Sequence, residues 1–349
     1  MALGGAAPER VGTGVVATVR FAAQLLASAA QDSADSPSGF VFTRQHALAI
    51  GAICLMWLTL AGVGGFVGQD LDWTKHNTVL NSLMLKPWPV VYELYQVDIP
   101  LVYYIGYYLP AALVGKVGGW FWANQALLVW SFAGLMMAVL WFCVLVRRAS
   151  YTALLVFVFF SGLDAIGLLM AQNFGMINPG RSSWTHLEPW ARGLQYSSNA
   201  TLLNWVPNQA LAGWLVMGIT LYCLARRQRR EIVLLPVGLS ALWSPFVTVG
   251  VVTYLVLDFL IDKEPLARRL RNLLTLANAA GVVALAVTGL YFAAKVGQSS
   301  PIVVESLFGG LSIESYNGST LNGIIFVISF CLLEFGLYAI MLYRSGVVQ

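Results

Sequence analysis

Long apolar runs of helix length alternate with short polar turns along most of this 349-residue chain. Runs near 20 residues match an α-helix crossing the hydrocarbon layer, and none shows the two-residue alternation of a porin strand. The pattern predicts spans over about 46–67, 150–171, 204–225, 272–294 and 321–343. Two more apolar segments are interrupted. Residues 101–146 are broken by Pro110, Lys116 and the Gly118-Gly119 pair; residues 232–261 are broken at Trp243-Ser244-Pro245-Phe246 and read as two short helices. The fold class expected is an all-α integral membrane protein. Its bundle would hold about 8–9 transmembrane helices, with a surface helix in the first outer loop. Residues 1–45 read as a cytoplasmic N-terminal arm without a signal-peptide pattern. Residues 46–349 read as one bundle with outer loops 68–100, 172–203 and 295–320.

Composition agrees with that class. The chain is 58% hydrophobic and 10% charged, with a mean hydropathy of +0.72, whereas soluble domains are about one quarter charged. Its net charge of +4 does not point to nucleic acid, because the basic residues cluster beside apolar runs. Placing 147–148, 226–230, 263–271 and Arg344 inside satisfies the positive-inside rule only if 101–146 crosses an odd number of times. Residues 101–117 are therefore expected to be a short helix that does not cross alone. The outer loops then carry Asp70, Asp72, Glu93, Asp98, Glu188, Glu305 and Glu314, which makes the outer face acidic. Cys54, Cys143, Cys223 and Cys331 all fall in apolar runs and read as buried thiols, not as disulfides or metal ligands.

The densest charge lies after the first span, in Gln69-Asp70-Leu71-Asp72-Trp73-Thr74-Lys75-His76-Asn77. Residues 74–84 read as a helix on the membrane surface, with Val79, Leu80, Leu83 and Met84 on the apolar side and Lys75, His76, Asn77 and Asn81 facing water. Asp70 and Asp72 at such a boundary can act as general base or hold a divalent metal, Mg or Mn being the candidates. Lys75 and His76 can meet a phosphate. The plainer alternative is that Asp72 caps the helix and Lys75 and His76 solvate its face.

This run, followed by Trp88 and by Asp98-Ile99-Pro100-Leu101-Val102-Tyr103, resembles the first luminal loop of polytopic GT-C glycosyltransferases, and within them the dolichyl-phosphate-glucose glucosyltransferases. The likeness covers about 65–105. It departs from the family pattern at Leu71, where an aromatic is usual, at Lys75, where arginine is usual, and at Leu101, where a second proline is usual. The resemblance implies a GT-C-like bundle that transfers a sugar from a polyprenyl-phosphate carrier to a lipid or glycan acceptor. Asp70 would take the catalytic acid position, with inversion at the anomeric carbon. Lys75 and His76 would face the leaving phosphate, and Asp98 and Tyr103 would belong to the substrate site.

Asp164 sits inside an apolar run, where an ionisable group costs at least ~2.5 kcal/mol, and reads as a cavity residue or a structural partner. The second outer loop offers His186 and Glu188 for a metal or substrate site. It also offers Arg192 and Gln195 as polar contacts, and Trp190 and Tyr196 to stack on a sugar ring. An interfacial aromatic belt with solvated charges explains the same residues. Trp205-Val206-Pro207-Asn208-Gln209 places a proline and two amides at the outer end of the next span. Expected partners are the sugar donor, its acceptor and membrane lipids, with another membrane subunit as a further candidate. The expected location is the cell (inner) membrane, rather than the endoplasmic reticulum, with the active site on the extracytoplasmic side. The alternatives to an enzyme are a non-catalytic subunit of a membrane complex or a transporter, for which the broken 232–261 segment is the main argument.

Overall fold

A computed structural model describes residues 43–94, 97–146, 151–174, 187–191, 194–225, 227–293, 327–336 and 339–340. Most of the arm 1–45, the loop 295–320, His186 and Arg192 lie outside these residues. The described chain divides into two compact units, Met1–Phe157 with Leu203–Gly297, and Val158–Leu202 with Gln298–Gln349.

The first unit opens with helix α1 (Arg44–Leu60), capped by Thr43, whose Oγ1 accepts from the His46 amide. The expected span ran to Val67, but the helix stops at Leu60. Gly62, Gly64 and Gly65 take positive φ and turn the chain out, a conformation L side chains avoid. Gly62 also lets the next helix approach, because a Cβ there would lie 3.2 Å from Trp73 Nε1. That next helix, α2 (Asp72–Leu85), covers the helix expected over 74–84. Its Val79, Leu80, Leu83 and Met84 are buried. A hairpin not legible in the sequence follows: β1 (Val91–Leu94) pairs antiparallel with β2 (Val97–Pro100), with Tyr92 opposite Ile99 and Glu93 opposite Asp98.

The next apolar segment is folded back on itself. Helix α3 runs over Leu109–Leu145 but breaks at Gly119, whose φ of 81° and ψ of −173° are open essentially to glycine alone. Eight residues along a straight helix span about 12 Å. Yet a Cβ on Gly115 would lie 2.7 Å from the Cβ of Ala123. Residues 109–118 therefore pack against the start of the long limb, in keeping with a short helix that precedes the crossing. Lys116 reaches from this limb to the carbonyls of Met84 and Lys86, which would otherwise end α2 unsatisfied.

Helix α4 (Tyr151–Phe159) leads into the second unit, where the expected single span is interrupted at 160–163 before α5 (Asp164–Phe174). The second unit also contains the one-turn helix Glu188–Trp190 and helix α12 (Val327–Gly336). Between these, α6 (Asn199–Trp205) returns the chain to the first unit, which continues with α7 (Pro207–Ala225). Next come α8 (Leu234–Ser240) and α9 (Pro245–Ile261). The expected break between them is present, with Ser244 Oγ accepting from the Val247 amide and Pro245 in the first turn. Helices α10 (Leu266–Leu273) and α11 (Leu276–Ala293) complete the described part of the unit. Gly238 of α8 and Gly281 of α11 bring backbone against backbone, so that a Cβ at either would collide with the other helix. Asn278 closes the joint, its Oδ1 accepting from the Leu234 amide and its Nδ2 donating to the Arg230 and Leu273 carbonyls. Small residues and one satisfied amide are how helices associate where apolar burial gives no preference over lipid.

The architecture is mostly helical. Among the described residues three helical segments are long and apolar enough to cross a membrane: Leu109–Leu145, Tyr151–Met170 and Leu276–Ala293. Arg44–Leu60, Pro245–Ile261 and Val327–Gly336 are shorter and apolar. Val249, Val256, Leu257 and Leu260 of α9 and Val283, Val287 and Leu290 of α11 are exposed. Apolar faces of that extent are unfavourable in water and suit lipid. Cys54, Cys143 and Cys223 are buried as expected, whereas Cys331 is exposed; all four are free thiols.

Candidate functional site

Asp70, not Asp72, caps the surface helix. Asp70 Oδ1 accepts from the Asp72 amide at 3.0 Å and from the Trp73 amide at 3.4 Å. This is the short side-chain turn by which an aspartate starts a helix. Its other oxygen, Oδ2, accepts from Asn204 Nδ2 at 3.1 Å. Asp70 is nonetheless exposed, so the carboxylate is aimed by the protein and open to a substrate. Asp72 is paired with Lys75 at 2.6 Å, with Lys75 64% exposed. A surface pair of this kind is worth at most about 1 kcal/mol, so Lys75 is easily recruited by a stronger anion.

His76 departs from expectation. It is 3% exposed, not turned to water. Its Nε2 lies 2.9 Å from the Trp205 carbonyl and must donate there, which leaves Nδ1 to accept from the Tyr108 hydroxyl. With both nitrogens engaged, His76 does not offer itself to a phosphate in this arrangement. Burial, first, and the charge of Lys75 hold its pKa below the usual histidine value, and the imidazole is neutral. Trp73 is pinned in the same way, its indole N–H donating to the Asn204 carbonyl at 2.9 Å and the Ala61 carbonyl at 3.2 Å. Asn77 is half-buried, its amide donating to Gln69 Oε1 at 2.8 Å. Three anchors (Trp73, His76 and Asp70) thus tie α2 to the segment 204–205.

Asp98 lies on β2, exposed and opposite Glu93, so two like charges face each other across the hairpin. Tyr103 is half-buried and stacks on Tyr104 with centroids 3.9 Å apart. Its backbone is held by the Tyr291 hydroxyl, which donates to the carbonyls of Leu101 and Tyr103. Asn208, expected at the surface, is fully buried, and neither its Nδ2 nor its Oδ1 has a hydrogen-bond partner among the described residues.

In the second unit, Asp164 and Glu188 are both buried, together with Glu334 at 1% exposure. Ser161 Oγ donates to Asp164 Oδ2 at 2.8 Å, the Ser198 amide to Glu188 Oε1 at 3.0 Å, and Trp190 Nε1 to Glu334 Oε1 at 2.8 Å. Gly162 makes room for Glu334, since a Cβ there would strike its carboxylate. Trp190 is therefore a buried core residue packed on Leu168 and Phe330, not a stacking platform. Tyr196 is half-buried, edge-on to Phe335, and Gln195 is exposed and donates to Ser197 Oγ.

Among the described residues no group of three or more His, Cys, Asp or Glu side chains converges as a metal-ligand set. Asp70 accepts from two backbone amides and Asn204, and Asp72 Oδ1 pairs with Lys75. Sequence reasoning missed Asn204 and Tyr108, and read Glu334 as lying near a span end and not in a site. Only the burial cost of an acid in an apolar helix signals Glu334 in advance. Asn204 and Tyr108 are ordinary residues until the fold brings them to α2. No family model matches the chain, and comparison with curated proteins and with solved structures gave no match.

Proposed function

We propose that the chain is a GT-C-like integral membrane glycosyltransferase. It transfers a sugar from a polyprenyl-phosphate carrier to an acceptor on the extracytoplasmic face, with Asp70 as base or metal ligand. The observation that carries this reading is Asp70 itself: exposed, at the start of a surface helix, with its rotamer fixed by two amides and Asn204. A positioned carboxylate takes the proton of an acceptor hydroxyl as that oxygen attacks the anomeric carbon from the face opposite the phosphate. The carbon–phosphate-oxygen bond breaks, the phosphate leaves with its bonding pair, and the configuration inverts with no covalent intermediate. Lys75 is the cation nearest this carboxylate in sequence that is free to turn toward the leaving phosphate. The bundle is read as about 8–9 spans, the shorter apolar helices included.

Transfer from radiolabelled polyprenyl-phosphate sugars by the protein in lipid, compared with Asp70→Asn, tests the reading. A second reading rests on the three buried carboxylates of the second unit, which suit a carrier of protons or small cations. Uptake into sealed vesicles that is lost in Glu334→Gln and retained in Asp70→Asn would favour it.

A further inference from the structure

The basic residues at 226–230 and 263–271 divide in the structure into inward and outward charges. Arg230, 11% exposed, pairs with Asp258 at 3.0 Å and also with Asp262. Arg269 donates to the Phe259 carbonyl and lies over that ring, 4.7 Å from its centroid. The Arg269 contacts hold α10 against the end of α9, and the Arg230 pairs tie the segment 227–232 to the same end. Lys263, Arg268 and Arg271 are exposed and form no ion pair among the described residues. Glu264, half-buried, is the one acid between residues 263 and 274, so the segment is strongly cationic.

Helix α10 is amphipathic and has no buried residue. At about 100° per residue, Leu266 and Leu270 share one side, and Arg268 and Arg271 lie on the other. Leu266, Leu270 and Leu274 are 54%, 44% and 83% exposed. Leu273, on the same side one turn further along, packs against the cluster of Trp141, Tyr222 and Val233, so the exposed part of the stripe is its start at Leu266 and Leu270. The chain then passes directly into α11 at Leu276, a helix of membrane-crossing length. The exposed leucines thus lie between two apolar helices and beside arginines that form no ion pair among the described residues.

We propose that α10 is an in-plane anchor that binds anionic lipid. Leu266, Leu270 and Leu274 enter the acyl boundary, and Lys263, Arg268 and Arg271 meet the headgroup phosphates. The contacts of Arg269 with Phe259 fix the helix against the end of α9.

Native mass spectrometry of the full chain, titrated with phosphatidylglycerol or with phosphatidylcholine of the same acyl chains, tests this. Each arginine near an anionic surface contributes about 1 kcal/mol, or roughly fivefold in affinity. Arg268→Gln with Arg271→Gln is therefore expected to weaken phosphatidylglycerol binding at this site about 30-fold and to leave phosphatidylcholine unchanged. Leu266→Gln with Leu270→Gln is expected to weaken both lipids. All four positions are exposed, so unchanged melting temperatures certify the fold. Equal binding of the two lipids by the wild type, or an undiminished phosphatidylglycerol preference in the arginine variant, overturns the proposal. So does a leucine variant that binds both lipids as the wild type does, since that face would then belong to a protein partner.

Discussion

An Asp70→Asn substitution leaves an oxygen where the first-turn amides of α2 need one, because an amide oxygen caps a helix nearly as well as a carboxylate. It removes the basicity and puts an Nδ2 donor opposite Asn204 Nδ2, so Asn204 must turn its amide oxygen inward to keep that contact. Sugar transfer is therefore expected to fall by 10²-fold or more while the melting temperature stays within a few degrees. Asn204 acts through Asp70 and is a positioning residue. Asn204→Ala should lower the maximal rate by about tenfold, with little change in donor KM, because the base loses its rotamer and not its charge. His76 makes a separate prediction. Its folded pKa lies below the unfolded value of 6.5, so below that pH the unfolded chain takes up a proton that the folded chain resists. Stability should fall as the pH drops below about 6.5, with a slope of up to about 1.4 kcal/mol per unit. Above that pH His76 should contribute no slope. A thermal melt series in detergent checks this, and His76→Gln should flatten the slope. The sequence shows that residues 70–76 are unusual for a membrane chain. It does not show which acid caps and which histidine nitrogen donates, because those roles depend on Asn204, Trp205 and Tyr108, far away in the chain.

Among the elements, the surface helix, the broken 232–261 segment and the short limb before the long crossing helix all follow from local pattern: an apolar stripe, a Ser-Pro cap and a glycine pair. Gly119 makes the last of these testable. Its backbone conformation excludes a side chain at a cost of about 1–3 kcal/mol, so Gly119→Ala should lower the melting temperature measurably. Gly118, outside the positive-φ set, carries no such backbone penalty. The β1–β2 hairpin has no comparable signature. Its strands are only four residues long, with acids at Glu93 and Asp98, and its pairing is fixed by what flanks it: Leu101 donates to Val90, and Tyr92 donates to Ser82 of α2. The early end of α1 is legible in hindsight from Gly62, Gly64 and Gly65. Apolar Val63, Phe66 and Val67 mask it, extending the hydrophobic run beyond the helix.

For the whole molecule, composition predicts a helical membrane protein, and the described residues are mostly helical, with three segments long and apolar enough to cross a membrane. Composition does not show how much of each apolar run becomes helix, and the folded-back limb of α3 and the interrupted α4–α5 segment both shorten what a window of hydropathy counts as one span. Nor does it show that Asp164, Glu188 and Glu334 share the second unit, since they come from three separated stretches of sequence. Sugar transfer from a polyprenyl-phosphate donor in reconstituted lipid tests the role of Asp70: the wild type should transfer with inverted anomeric configuration, and Asp70→Asn should lose at least 10²-fold with the fold retained. Transfer by Asp70→Asn at the wild-type rate, or no transfer from any such donor by the folded wild type, would contradict it.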